Sequence, residues 1–379
     1  MKYYLIAGEA SGDLHGSNLM KGLYAKDPEA DIRFWGGGLM DAVYKEHQKG
    51  SGLVKDYREG AVLGFVEILL SARSLMKKIK FCQDDILAWK PDAIVLIDYP
   101  GFNLRIAEFA HKAGFKVYYY IVPKVWASRE GRIAKLKENV DKMLIVFPFE
   151  IPYFESKGVP VTYVGNPLID SVDSSPAMAE TRADFLARTG LPDAPWITLL
   201  AGSRGHEIKA MMPVFMELAD KWHLAHPDYH FVVAGAPARS AADYDLGGRD
   251  YVHLVFGETY GALRHASAAV INSGTASLEA ALIGTPQVVG YRMAYGTYVM
   301  LKGMIKVKFI SLANLIIDRP AFRELLQDYF TADNLFDELN RILTDSSYRS
   351  RMMADYTEIR RLLGGPGASL RAAGEIASD

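Results

Sequence analysis

Short apolar, β-branched runs alternate along this chain with longer segments whose hydrophobic positions return at helical spacing. Residues 3–7, 32–35, 93–97, 117–122, 143–147 and 161–164 read as strands in the first half. After Gly165-Asn166-Pro167 the rhythm restarts at 197–201, 231–234, 253–256, 268–272 and 287–291, with helical patterns at 208–226 and 276–283 between them. This βαβ alternation predicts α/β architecture with mostly parallel sheets. The polar, Pro-terminated run Ser171 to Pro176 places a hinge near 165–176. From Asp333 onward the pattern is helical, interrupted at Gly364-Gly365-Pro366-Gly367. The expected units are 1–165, 166–345 and a helical tail, 346–379, that packs back on the first domain or on a partner subunit.

Composition narrows the class. At 379 residues two cores are expected. With 43 basic and 45 acidic residues the formal charge is −2, so nothing draws the chain as a whole toward nucleic acid. The lone Cys82 makes neither an intramolecular disulfide nor a zinc site, which fits a reducing cytoplasm. The apolar run at the N-terminus is too short for a secretory signal, and the most apolar stretch, 61–70, is too short and too charged at its flank to span a bilayer.

In an open α/β sheet the chemistry gathers beyond the carboxyl ends of the strands. After the first strand comes Gly8-Glu9-Ala10-Ser11-Gly12-Asp13, where small residues admit a ligand and Asp13 is placed to cap a helix starting near Leu14. The spacing is neither a dinucleotide fingerprint nor a P-loop, and a plain tight turn would explain it as well. Asp98, at the end of 93–97, is the general-base candidate, because a sugar hydroxyl needs its proton taken to attack an anomeric carbon. Capping of the next helix is the competing role.

Two further loops suit an anion. Ala201-Gly202-Ser203-Arg204-Gly205-His206-Glu207 offers backbone N–H groups and a guanidinium at a helix start, and Ser273-Gly274-Thr275 repeats the design. Such groups can meet the charge that grows on a departing nucleoside diphosphate without a metal. Glu279, one turn further on, suits a ribose diol or is an ordinary surface residue. Asp243-Tyr244-Asp245 matches a metal-binding Asp-x-Asp only formally, since it lies in a polar stretch away from any strand end, and no metal or cofactor is expected. His15 and His206 lie beside these loops and read more readily as a cap and a surface group.

Between Gly64 and Lys80 the apolar face is wider than one buried stripe. Phe65, Val66, Ile68, Leu69, Leu75 and Met76 stand beside Arg73, Lys77, Lys78 and Lys80, the composition of an interfacial helix. A basic-apolar stretch at 298–309 has the same character. A core helix with a solvated basic edge is the alternative.

Taken together, Ala7 to Asp13, Asp98-Tyr99-Pro100-Gly101-Phe102-Asn103, Pro123-Lys124-Val125-Trp126-Ala127, Gly165-Asn166-Pro167, Gly202-Ser203-Arg204 with Glu207, Ser273 to Glu279, Ile310 to Asn314 and Glu324-Leu325-Leu326-Gln327 resemble the lipid A disaccharide synthases along nearly the whole chain. The resemblance implies a glycosyltransferase-B fold, two Rossmann-like domains with parallel sheets facing an interdomain cleft and a helical C-terminal segment. It implies metal-independent, inverting transfer from UDP-2,3-diacylglucosamine to 2,3-diacylglucosamine 1-phosphate, making a β-1,6 bond at the inner membrane of a Gram-negative cell. Asp98 resembles the family's catalytic base. Gly8, Glu9, Ser11, Gly12, Asp13, His15, Asn103, Gly202, Ser203 and Glu207 fall in the substrate-binding motifs of the family, and Arg204, Ser273, Gly274, Thr275, Glu279, Asn314 and Gln327 resemble its UDP-side contacts. The family also implies a homodimer that exchanges C-terminal segments. The chain departs from the pattern at Ala201 and Ala313, where prolines are usual, at Ser128, where an aromatic is usual, and at Asn166, where histidine is commoner. Another UDP-sugar enzyme of this fold, such as a UDP-N-acetylglucosamine 2-epimerase, and a two-lobed sugar-phosphate binding protein are the competing readings.

Overall fold

A computed structural model describes residues 1–59, 67–127, 130–272, 274–293 and 308–378, with side chains described from residue 73 onward in the helix that begins at Glu67. The chain divides into two compact units, Met1–Pro167 with Gly365–Asp379, and Leu168–Gly364.

The first unit holds seven strands: β1 (Lys2–Ala7), β2 (Asp31–Gly36), β3 (Leu53–Asp56), β4 (Ala93–Ile97), β5 (Lys116–Tyr120), β6 (Lys142–Ile145) and β7 (Thr162–Tyr163). Their order across the sheet is β3-β2-β1-β4-β5-β6-β7, with parallel pairing throughout. The second unit holds β8 (Trp196–Leu200), β9 (His230–Gly235), β10 (Val252–Phe256), β11 (Ala268–Asn272), β12 (Gln287–Tyr291) and β13 (Glu324–Leu326), ordered β10-β9-β8-β11-β12-β13 and again parallel. Strands covered on both faces read as unbroken apolar runs. All five residues of β4, β8 and β11 are buried.

Both sheets start near their middle, grow outward to one side, then reverse. The reversal lies between β1 and β4 in the first unit and between β8 and β11 in the second. At such a switch point the loops diverge and leave a crevice beyond the strand ends. Here those loops are Gly8 to Asp13 with Asp98 to Asn103, and Gly202 to Glu207 with the segment entering the Thr275–Ile283 helix.

Of the tail expected at 346–379 to pack on the first domain or a partner, the part up to Gly364 belongs to the second unit and the part from Gly365 to the first. Helix Ser346–Leu363 packs on Ala332–Thr344, Leu312–Ile317 and Thr275–Ile283 inside the second unit. Helix Ala368–Ala377 instead packs along Ala10–Lys26 in the first. Gly364 and Gly367, at φ 80° and 96°, make the break between them. The two helices pack tightly at Gly22, where a Cβ would lie 2.9 Å from the Ala373 methyl and from the Ser369 carbonyl oxygen.

Helix Glu67–Trp89 buries Ile79, Cys82 and Ile86 in the core beneath β1, β2 and β4. Leu75 also packs against that core, so it belongs to the inner face and not to the outward one expected for it. Met76 is 59% exposed. Phe65 and Val66, the side chains of Ile68 and Leu69, and most of 298–309 lie outside the described residues. Among the described residues no helix is long and apolar enough to cross a membrane.

Candidate active site

At the first switch point the backbone is held in an unusual shape. Asp98 and Tyr99 are both left-handed, at φ 44° and 49°, just before Pro100 opens the helix Pro100–Lys112. A bulky side chain there is an outlier, and each such residue costs about 1–3 kcal/mol. The surroundings fix it. Asn103 Nδ2 donates to the Asp98 carbonyl oxygen at 2.8 Å and the Tyr119 hydroxyl donates to the same oxygen at 2.7 Å. The Asp98 N–H donates to the Tyr120 carbonyl of the neighbouring strand at 3.1 Å.

This turn leaves the Asp98 carboxyl over the end of β4. Burial raises its proton affinity, Lys124 lowers it, Glu9 raises it further and the Tyr99 N–H lowers it, with the net shift upward. A carboxylate lifted by dehydration is a stronger proton acceptor than a free one. Gly8, Glu9, Ser11, Gly12, Ile97, Asp98 and Tyr99 line a depression of about 10 Å³ at the switch point. Gly8 allows it: a Cβ there would sit 2.2 Å from the Tyr99 ring.

Three residues expected beside substrate, Asp13, His15 and Asn103, are buried. Asp13 does not cap its own helix, which begins at Ala10; its Oδ1 accepts from the N–H groups of Gly37 at 2.8 Å and Met40 at 3.0 Å, and its Oδ2 from Leu39 at 3.1 Å. It therefore caps the next helix, Gly38–His47, across 24 residues of sequence. Asn103 is fully buried, and its amide also reaches the Ile97 and Ile6 carbonyls at 3.3 and 3.4 Å. His15 is buried, and burial lowers its proton affinity to about 4, which keeps it neutral near pH 7.

In the second unit Gly202 has φ 97°, and a Cβ on it would lie 2.4 Å from Asn272 Nδ2 and 2.5 Å from Glu207 Oε2. Only glycine lets β8 turn into the Gly205–Ala225 helix so close to β11. Glu207 Oε2 accepts from the Ser203 and Arg204 N–H groups, both at 3.1 Å. It is a local cap, so those two donors are not open to a ligand. The N–H groups of Gly205 and His206 have no acceptor among the described residues. The Arg204 side chain is 63% exposed, with its nearest carboxylate oxygen, Glu207 Oε1, 3.6 Å away. His206 is exposed.

Beside it, Gly274 and Thr275 are exposed at the start of the Thr275–Ile283 helix, while Ser273 lies outside the described residues. Glu279 accepts from the Tyr260 hydroxyl at 2.7 Å, and burial raises its proton affinity. It is not a free surface glutamate. Tyr291, at the end of β12, feels both Glu207 and Arg204, so β8 and β12 address the same edge.

Asn314 and Gln327 use their amides on the chain itself. Asn314 is fully buried, accepting from Ala321 N–H at 2.8 Å and donating to Phe322 O and Glu324 Oε1. Gln327 holds Met293 by both main-chain groups, at 2.8 and 3.2 Å. The formal Asp-x-Asp is likewise structural: Asp243 caps its own turn through the Ser240 N–H and Asp245 accepts from Gly247 N–H.

The residues of the 123–127 motif that act near Asp98 are not apparent from spacing. Lys124 follows β5, the strand beside β4, and Glu150 lies beneath that loop, 1% exposed, with Trp126 Nε1 donating to it at 2.9 Å. Tyr260, which fixes Glu279, is also invisible to local pattern because it lies 19 residues away.

The family model for lipid-A-disaccharide synthetase matches residues 3–373. The chain belongs to this family. A lipid-A-disaccharide synthase from Geobacter metallireducens is 38% identical over 98% of this chain and 95% of its own length. Among solved structures, the Methanocaldococcus jannaschii UDP-GlcNAc 2-epimerase in complex with UDP-GlcNAc and UDP superposes with a TM-score of 0.67 at 11% identity, covering 100% of this chain and 99% of that one. The glycotransferase of kitacinnamycin gives 0.67 at 15% identity, covering 100% and 98%. At those identities the likeness shows the fold alone, and the fold is glycosyltransferase-B. Family membership makes the chain a glycosyltransferase of lipid A biosynthesis that acts on lipid A precursors.

Proposed function

We propose that this chain joins UDP-2,3-diacylglucosamine to 2,3-diacylglucosamine 1-phosphate with Asp98 as general base. The acceptor's 6-hydroxyl oxygen forms a bond to the donor's anomeric carbon, the bond from that carbon to the UDP oxygen breaks, and Asp98 takes the hydroxyl proton. The negative charge left on UDP is met by Arg204, the Gly205 and His206 N–H groups and the start of the Thr275–Ile283 helix. Glu279, held by Tyr260, receives the ribose. The observation that carries this reading is the Asp98 carboxyl, dehydrated and fixed on paired left-handed residues at a switch point. The products are the β-1,6-linked disaccharide 1-phosphate and UDP. Incubating the protein with both acylated sugars in the presence of chelator tests it: disaccharide and UDP appear together, and their absence ends the proposal.

The enzyme works, in this reading, as a peripheral protein on the cytoplasmic face of the inner membrane. Met76, Lys77 and Lys80 are exposed on one helix, which supports an interfacial role. Replacing Phe65, Leu69 and Met76 together with serine is expected to lower recovery with anionic vesicles while the melting temperature holds; unchanged recovery refutes the interfacial role. A homodimer with exchanged C-terminal segments belongs to the same reading. Helix Ala368–Ala377 contacts Ala10–Lys26 within one chain, and an exchange would form that contact between two. A monomer mass at sedimentation equilibrium refutes the exchange.

A further inference from the structure

In the second sheet β9 lies beside β8 and runs parallel to it, so the loop after β9 comes out next to the loop that carries Gly202 to Glu207. That loop, Ala236 to Ser240, is pinned along its length. The Ala236 N–H donates to the Tyr244 hydroxyl at 2.8 Å, and Tyr244 is buried and meets the Phe256 ring edge-on, with ring centres 6.0 Å apart. The Arg239 N–H closes a turn onto the Ala236 carbonyl at 3.0 Å, and the Ser240 N–H donates to Asp243 Oδ2 at 3.0 Å. Arg239 stands between these ties.

The Arg239 side chain crosses to the neighbouring loop. Its Nε donates to the Ser203 carbonyl oxygen at 3.1 Å, and a Cβ on Gly205 would lie 3.3 Å from Nη1 and 3.8 Å from Nη2. The guanidinium therefore lies against the first residue of the Gly205–Ala225 helix, whose own N–H has no acceptor among the described residues. Only the Nε donor is used. Among the described residues the donors on Nη1 and Nη2 have no acceptor, and no carboxylate forms an ion pair with them. A guanidinium anchored by Nε, with its other donors free, suits the oxygens of a phosphate.

We infer that Arg239 binds the diphosphate of the UDP-sugar, with Nη1 and Nη2 donating to phosphate oxygens at the start of the Gly205–Ala225 helix. The inference rests on the reading that UDP is received at this helix start, and it adds a guanidinium from the neighbouring strand's loop to the groups already assigned there. The Ser203 carbonyl does the positioning: by taking Nε it fixes where the other donors point. Charge that grows on departing UDP then meets donors that need no reorganisation. Local pattern could not show this, because Arg239 follows Ser203 by 36 residues.

The test compares UDP with uridine, which share the nucleoside and differ in the diphosphate. Binding to the full chain is read by calorimetry for UDP and by ligand-observed NMR for uridine. Arg239→Gln sets its amide nitrogen where Nε stands, so it keeps a donor for the Ser203 carbonyl and removes Nη1 and Nη2. Its UDP affinity is expected to fall roughly tenfold, the scale of a lost hydrogen bond between charged groups, while uridine affinity and melting temperature hold. Arg239→Lys keeps the charge without the paired donors and falls between the parent and Arg239→Gln. Equal losses for UDP and uridine overturn the inference, since the loop then serves the nucleoside. Parental UDP affinity in Arg239→Gln, with Arg204→Met weakened, overturns the inference alone. Parental UDP affinity in both variants refutes the cradle itself. If Arg239→Gln melts early, Arg239→Lys decides: weakened UDP with unchanged uridine supports the contact, and any other result overturns it.

Discussion

Under the proposed mechanism the two switch points meet opposite electrostatic demands. Between β1 and β4 a single side-chain carboxyl, Asp98, is dehydrated and locked by strained backbone, with hydrogen bonds to its main chain on both sides. Between β8 and β11 the chain presents main-chain N–H groups and an exposed guanidinium. A proton acceptor gains from dehydration, which raises its affinity for the proton it must take. An anion cradle gains from donors already aimed outward, which need no reorganisation when charge arrives. Asp98→Asn is the sharpest break of this contrast. It keeps the shape of the turn but removes the acceptor, so kcat is expected to fall about 10²–10⁴-fold while UDP affinity, measured by calorimetry, stays at the parent value. Loss of UDP affinity would show that the two sites are not separable in this way.

A second contrast concerns the carboxylate that stands one turn inside each helix. Glu207 caps the start of its own helix, while Asp13 caps a different helix through three N–H groups. Asp13→Ala leaves those buried donors without their acceptor and removes a negative charge from a helix N-terminus. We expect a loss of about 3 kcal/mol or more in urea unfolding. Asp13→Asn recovers part of it, because one amide oxygen still serves Gly37 and Met40. A variant of parental stability that has lost acceptor binding would return Asp13 to the substrate side.

This contrast also explains what the sequence could reveal. The α/β class, the strand cores and the position of Asp98 were legible because parallel strands are continuous apolar runs and the ligand-bearing loops follow their ends. Leu53–Asp56 and Glu324–Leu326 were not, since four and three residues at sheet edges carry no periodic signal. The Glu207 cap lies three residues from its donor, within reach of local pattern; Asp13 reaches 24 residues and Glu150 reaches 24 to Trp126. Asn103, Asn314 and Gln327 sit in motifs of the family, and motif membership alone could not distinguish an amide that touches substrate from one that ties down the main chain. The Asp98 turn is a case in point: Asn103 lies in the same six-residue motif as the carboxylate and acts by holding that carboxylate's carbonyl.

Arg204 gives the smallest of the expected changes and the cleanest test of the cradle. Its side chain is exposed and its one nearby carboxylate is beyond hydrogen-bonding distance, so the fold gains little from it. Arg204→Met should leave the melting temperature nearly unchanged while kcat falls on the order of 10²-fold, because the leaving UDP loses one preorganised donor. Lysine at 204 restores charge but not the fork of donors, so it recovers only part. Gly202→Ala, two residues away, should behave differently: its Cβ collides with Asn272 and Glu207 at a φ that alanine resists, and stability and rate fall together. If its kcat is untouched while Gly202→Ala abolishes turnover, the donors that meet the leaving charge are the main-chain N–H groups alone; a lowered melting temperature in Arg204→Met would show instead that the side chain serves the fold.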